Sequence, residues 1–90
     1  MKYSQEQTAE MRATISRIEL KREELEELKS EVNEITESTT ETYALTFYYR
    51  IEERVFKIPR LTLLDFYNEK ITNLKSEIIS LEKRLQELVK

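Results

Sequence analysis

The apolar residues of the C-terminal third recur at alternating intervals of three and four, and this spacing leaves the chain few possible folds. The series spans four heptads and consists of Leu64, Tyr67, Ile71, Leu74, Ile78, Leu81, Leu85 and Leu88. A helix with this repeat keeps one apolar seam turned toward a partner helix only if the pair supercoils. Residues 62–89 are therefore predicted to form one arm of a left-handed coiled coil.

The residues before this series predict where the arm begins. Thr62 is a favourable N-cap, and Asp65 is placed three residues later to bond back to its amide, as in a capping box. Leu61 and Phe66 then fall at the two positions of a hydrophobic staple.

A second long helix is predicted over residues 5–37. Ser4 and Gln7 have the spacing of a capping box, and the stretch that follows contains no glycine or proline. Its apolar stripe is less regular than that of the C-terminal arm and consists of Met11, Ile15, Ile18, Leu25, Leu28, Val32 and Ile35. The hydroxyl-rich residues 36–42 predict the end of this helix, because such side chains compete for backbone hydrogen bonds.

The two helices are predicted to pair with each other in antiparallel orientation. If the intervening segment reverses the chain, Ile35 meets Leu64 and Met11 meets Leu88, with partner numbers summing to about 99. Leu20, Leu63 and Ile79 would remain at outer positions of this pair. We therefore expect a dimer that buries them in a four-helix bundle.

Residues 45–60, LTFYYRIEERVFKIPR, interrupt the coiled-coil pattern and predict a β-hairpin over residues 43–58. Leu45, Phe47, Tyr49 and Ile51 share one strand face, and a turn at Glu52–Glu53 sets Phe56 opposite Tyr49 and Ile58 opposite Phe47. A four-residue loop over residues 51–54 keeps this register and avoids the positive φ of a tight turn. The alternative is a helix through residues 48–56.

The resulting fold class is mainly α with a small β element: two long antiparallel coiled-coil helices joined by a β-hairpin, in one domain over residues 1–90. This layout resembles that of prefoldin beta-type subunits, although the arms here are shorter and the hairpin is more aromatic and lacks glycine. The resemblance implies oligomerisation through the hairpins.

The amino-acid composition argues against several kinds of catalytic and binding site. The chain has no glycine, histidine or cysteine, so it lacks the glycine-rich phosphate loops, the usual general base and the thiolate nucleophile. Neither a disulfide nor an ordinary zinc site is expected. We therefore expect that the protein is not an enzyme and that it holds no cofactor and no metal.

The N-terminal residues have no signal-peptide pattern and no segment approaches a membrane span, so the expected location is the cytoplasm.

The function expected from these features is that of a homo-oligomeric interaction protein that binds another protein. Small lysine- and glutamate-rich chains of this kind suggest an accessory or inhibitory protein, such as those of bacteria and their phages. The residues expected at the oligomer or partner interface are Phe47, Tyr49, Ile51, Phe56, Ile58, Leu74, Ile78, Leu81 and Leu85.

The alternative is a binder of a small phosphorylated ligand or of nucleic acid through the hairpin. Its candidate residues are Tyr48, Arg50, Arg54, Lys57 and Arg60, which offer a stacking ring and phosphate-binding cations. The net charge of −3 and the nine acidic residues against three basic ones in residues 19–41 oppose a long nucleic acid. The same acidic helix also suggests a third function, imitation of nucleic-acid phosphates toward a DNA-binding partner.

Overall fold

A computed structural model describes residues 3–90 and consists of two helices that pack against each other and are joined in sequence by a two-stranded antiparallel sheet. The elements are α1 (Gln5–Glu37), β1 (Thr42–Tyr49), β2 (Glu52–Pro59) and α2 (Arg60–Leu88). This confirms the predicted fold class and the predicted bounds of α1. The alternative of a helix through residues 48–56 is wrong, because β1 and β2 pair over that segment.

Local side-chain bonds fix both ends of α1. The hydroxyl of Ser4 accepts the Gln7 amide, and the Gln7 side chain accepts the Ser4 amide, each at 3.0 Å, which confirms the predicted capping box. At the other end, the Ser38 amide donates to the Ile35 carbonyl, and the Ser38 hydroxyl accepts the Thr40 amide at 3.0 Å. The end of α1 therefore has no glycine cap: the Ser38 amide satisfies the Ile35 carbonyl, and the Ser38 hydroxyl orders the chain just beyond the helix.

The start of α2 differs from the prediction. The helix begins at Arg60, with Pro59 at the N-cap position and no side-chain cap bond, so the capping box at Thr62 and the staple of Leu61 with Phe66 are wrong. The reason lies in the hairpin: the Arg60 amide donates to the Glu41 carbonyl at 2.8 Å. The strand ladder therefore uses an amide that would otherwise be left free at the helix start.

The two helices pack along the predicted seam. Leu25 of α1 forms a buried cluster with Ile71, Leu74 and Ile78 of α2, and Leu28 and Val32 pack against it.

Ion pairs on the surface also connect the two helices. They join Lys21 to Glu77 at 2.7 Å, Arg22 to Glu82 at 3.0 Å and Glu10 to Arg84 at 2.6 Å. All three pairs are largely exposed to solvent and contribute little, so the apolar seam supplies most of the stability.

One of the three predicted outer residues is instead buried. Leu63 is only 5% exposed, because the base of the hairpin folds against the first turns of α2. Leu20 and Ile79 are 66% and 54% exposed, as predicted for outer positions.

The protomer is elongated and thin. Its Cα radius of gyration is 18.6 Å, whereas a compact chain of this length has about 12 Å. The Cα extents are 58 × 34 × 14 Å, so the protomer is much thinner in one direction than in the other two. Within residues 3–90 no large side chain is completely buried, and none of the helices there is long and apolar enough to cross a membrane.

Candidate interaction surface on the hairpin

The hairpin turns two residues earlier than predicted. Tyr49 pairs with Glu52, so Arg50 and Ile51 alone form the turn. The predicted turn at Glu52–Glu53, the four-residue loop and the pairing of Phe56 with Tyr49 are therefore wrong. The earlier turn lets all eight residues of each strand pair, out to Thr42 with Pro59. A later turn would have left the base of β1 without partners.

The turn is tight although it contains no glycine. Arg50 occupies the left-handed region with φ of 57°, a conformation that costs an L-residue about 1–2 kcal/mol. Its guanidinium lies 5.5 Å from the centroid of the Tyr49 ring, which offsets part of this cost. The next residue, Ile51, is fully exposed, so the hairpin presents an apolar side chain at its tip.

The division of the hairpin into two faces agrees with the prediction, because the observed register differs from the predicted one by an even number of residues. The face that turns toward α2 carries Tyr43, Leu45, Phe47, Tyr49, Glu52, Arg54, Phe56 and Ile58. Phe47 and Phe56 meet diagonally across the strands, with ring centroids 5.6 Å apart and nearly perpendicular planes. The opposite face is formed by Thr42, Ala44, Thr46, Tyr48, Glu53, Val55, Lys57 and Pro59.

An apolar cleft of about 240 Å³ lies where the hairpin meets α2. Its lining has no polar surface and consists of Leu45, Phe47, Ile58, Thr62, Leu63 and Phe66. Phe47 and Phe66 are 53% and 51% exposed, so the contact between hairpin and helix is only partly closed. The cleft joins the hairpin to α2 and leaves aromatic surface open at its rim.

The two outer edges of the hairpin differ in composition. The bond from the Arg60 amide to the Glu41 carbonyl, together with the register, shows that odd-numbered residues of β1 point their backbone groups toward β2. The outward backbone groups of β1 therefore belong to Thr42, Ala44, Thr46 and Tyr48. Those of β2 belong to Glu53, Val55, Lys57 and Pro59.

The residues predicted for an interface fall into two groups. Phe47, Tyr49, Ile51 and Phe56 are half to fully exposed on the hairpin, whereas Ile58 is half-buried at its base. On α2, Leu74 and Ile78 are buried against α1, and Leu81 and Leu85 are half-buried along the same seam. The hairpin residues thus form surface, and the helix residues serve mainly to hold α1 and α2 together.

The residues predicted for a phosphorylated ligand do not converge on one site. Arg54 lies on the face toward α2 and pairs with Glu52 at 3.3 Å, whereas Tyr48 and Lys57 lie on the opposite face. Arg50 is in the turn. Arg60 lies at the far end of β2, where its guanidinium donates to the Ser38 carbonyl and fastens the hairpin base to the end of α1.

Away from the hairpin, three groups have shifted pKa values. The burial of the Tyr67 hydroxyl, and then the nearby Glu31 carboxylate, raise the pKa of this phenol above 10.0. The hydrogen bond from Lys21 to Glu77, with its charge, raises the pKa of the lysine. The equivalent contact with Glu10 raises the pKa of Arg84. All three shifts come from packing between α1 and α2, and none of these groups lies in an enclosed site.

Sequence reasoning missed two features of this surface. The first is the difference between the outer edges of β1 and β2, which the charge-free run from Thr42 to Tyr49 would have indicated. The second is the contribution of α2 to the cleft, which depends on the helix starting at Arg60 and had no local signal. Within residues 3–90, no group of three or more acidic side chains is placed to hold a metal ion.

Comparison of the chain with protein-family models, with curated proteins and with solved structures finds no match.

Proposed function

We propose that this chain is a homo-oligomeric, non-enzymatic interaction protein that works in the cytoplasm and binds another protein. In this proposal the coiled-coil arms give the subunit its length. The hairpin supplies the surface for assembly and for the partner. An accessory or inhibitory role, of the kind encoded by bacteria and their phages, is the setting that fits such a chain.

The observation that carries the proposal is the large surface of the single protomer. Its accessible area is 7656 Å², whereas a compact monomer of 10.9 kDa exposes about 5,600 Å². The excess, about 2,000 Å², is comparable with what each subunit buries in an obligate complex. Much of the exposed apolar part belongs to the hairpin, including Phe47, Tyr49, Val55 and Phe56.

The tip of the hairpin is the part of the surface best suited to a different protein. Tyr48, Tyr49 and Ile51 are 79%, 64% and fully exposed, and they lie roughly 25 Å from the base along strands of eight residues. Tyrosine is enriched among the residues that dominate binding energy in protein interfaces. A phosphorylated ligand is supported less well, since its candidate residues lie on different faces and at different ends of the hairpin.

The first experiment measures the solution mass of the purified protein by multi-angle light scattering, at low and at high salt. We expect a defined multiple of 10.9 kDa that persists in 1 M salt, because apolar contacts are not screened as exposed ion pairs are. A mass of one subunit across the concentration range would overturn the assembly part of the proposal.

Partner binding is tested with two matched variants used as affinity bait, Ile51→Asp at the tip and Leu20→Asp on α1. Both replace an exposed aliphatic side chain with a carboxylate, and aspartate is well tolerated in turns. We expect a protein retained by the wild type and by Leu20→Asp but lost with Ile51→Asp. Equal retention by all three would argue against binding at the tip.

A further inference from the structure

The two edges of the hairpin are unequally protected against pairing with another strand. β2 has the sequence EERVFKIP, and its outward positions include Glu53, Lys57 and a proline that has no amide to donate. β1 has the sequence TYALTFYY, with no charge and no proline over eight residues. An uncharged edge of this length is a ready template for strand addition.

Nothing in residues 3–90 covers the edge of β1. The sheet has only two strands, and α1 packs against α2 without approaching either of them. Among residues 3–90, the only backbone bond at the hairpin base outside the ladder joins Arg60 to Glu41. The outward amides and carbonyls of Ala44, Thr46 and Tyr48 therefore face away from the rest of the protomer.

We propose that the occupant of this edge is β1 of a second copy of the chain, related by a two-fold axis through Leu45. This inference rests on the proposed self-assembly and names the surface that carries it. The result is a four-stranded antiparallel sheet in the order β2, β1, β1 of the partner, β2 of the partner. Because both outer strands are then β2, the assembly closes at two hairpins.

The register follows from the length and composition of β1. Centring the axis on Leu45 sets Thr42 opposite the partner's Tyr48 and Ala44 opposite the partner's Thr46, so residues 42–48 of the strand are all paired. These are the residues with outward backbone groups, and they exchange about eight hydrogen bonds across the axis. A shift by two residues in either direction leaves outward groups at the strand ends unpaired.

The side chains brought together by this register match in polarity. On the face toward α2, Leu45 meets its own copy, and Tyr43 meets the partner's Phe47, which extends the apolar surface across the axis. On the other face the new pairs are Ala44 with the partner's Thr46 and Thr42 with the partner's Tyr48. No charge is placed opposite another. Pairing through β2 would instead set Glu53 opposite the partner's Pro59.

The helices do not obstruct this pairing. The antiparallel register places the base of one hairpin beside the tip of the other, so the two helix pairs lie at opposite ends of the sheet. Both α2 helices remain on the same face, next to the apolar surface that they already contact through Leu63 and Phe66.

Two matched proline variants test the edge. Thr46 and Val55 are direct cross-strand partners with outward amides, so Thr46→Pro blocks the β1 edge and Val55→Pro blocks the β2 edge at the same level of the hairpin. We expect Thr46→Pro to lower the light-scattering mass two-fold and Val55→Pro to leave it unchanged. A wild-type mass for Thr46→Pro, or an equal loss in both variants, would overturn pairing through β1.

Disulfide trapping provides an independent test in a chain without native cysteine. Residues at the two-fold axis form a non-hydrogen-bonded pair with Cα atoms about 4.5 Å apart, within the range of a disulfide. Leu45→Cys should therefore form a covalent dimer under mild oxidation, whereas Val55→Cys should not. The absence of a Leu45→Cys dimer would rule out this register. A monomeric wild type would remove the proposed self-assembly as well, whereas a wild-type oligomer resistant to Thr46→Pro would remove only the edge.

Discussion

Arg50 is the residue whose conformation most clearly departs from what its sequence favours. A tight turn with positive φ is the usual place for glycine or asparagine, and the chain offers arginine instead. Sequence reasoning placed the turn at Glu52–Glu53 because that position set Phe56 opposite Tyr49 and Ile58 opposite Phe47. In the structure, the full pairing of both strands and the stacking of Arg50 on Tyr49 together offset the cost of the positive φ.

This account predicts how substitutions in the turn behave. Arg50→Val should lower the free energy of unfolding by about 1–2 kcal/mol, because a β-branched residue is poorly accommodated at positive φ. Ile51→Val, at the neighbouring position of ordinary φ, should change it by less than about 0.5 kcal/mol. Urea denaturation at matched protein concentration measures both. A loss no larger for Arg50→Val than for Ile51→Val would contradict the assigned turn.

The raised pKa of Tyr67 leads us to expect that the stability of the protein depends on pH. Burial and Glu31 raise the pKa of its hydroxyl above 10.0 in the folded protein, so the folded chain retains this proton more strongly than the unfolded chain. The contribution of the protonated Tyr67 hydroxyl to the free energy of unfolding is fully present below about pH 10. It is lost as the pH rises through the raised pKa. Tyr67→Phe should therefore lose less stability than the wild type between pH 8 and pH 11, measured as the shift in urea midpoint.

The control for this experiment is Tyr48→Phe, which removes a hydroxyl from a tyrosine that is 79% exposed. Lys21, whose raised pKa acts in the same direction, is retained in all three proteins. If Tyr67→Phe and Tyr48→Phe respond alike to alkaline pH, the burial of Tyr67 is not the cause.

At the scale of elements, the helix pair depends on a small number of apolar contacts. Leu74 is 6% exposed in the cluster with Leu25, Ile71 and Ile78. Leu74→Ala should reduce the free energy of unfolding by about 2–3 kcal/mol, at the low end for buried leucines because a thin protomer can partly close the space. Leu20→Ala, at a site 66% exposed, is the matched control and should cost well under 1 kcal/mol. Circular dichroism at 222 nm during urea unfolding gives both values, and similar losses would argue against the assigned seam.

The elements also show what the sequence could and could not predict. The heptad series located the seam, and the Ser4–Gln7 spacing located the start of α1, because each signal acts within one helix. The start of α2 was misplaced because Pro59 and Arg60 belong to the strand ladder as much as to the helix. The same long-range pairing buries Leu63, whose own surroundings in sequence suggested an outer position.

For the whole molecule, the excess surface predicts that folding and assembly are coupled. If two protomers share the sheet, a hundred-fold rise in protein concentration should increase the apparent free energy of unfolding by about 2.7 kcal/mol per mole of dimer. Thermal melts at micromolar and at hundred-fold higher concentration provide the measurement, with Thr46→Pro as the concentration-independent control. A wild-type midpoint that does not move with concentration would mean that the elongated protomer folds alone.

The absence of a linker between β2 and α2 has a mechanical consequence. Strand β2 ends at Pro59 and the helix begins at Arg60, whereas four residues separate α1 from β1. The direction of each arm is therefore set by the strand from which it emerges. In a two-fold sheet, the angle between the arms of the two copies would be determined by the twist of the four strands. Because the arms are attached to the sheet without linkers, a change in that twist would move the distant ends of both arms at the same time.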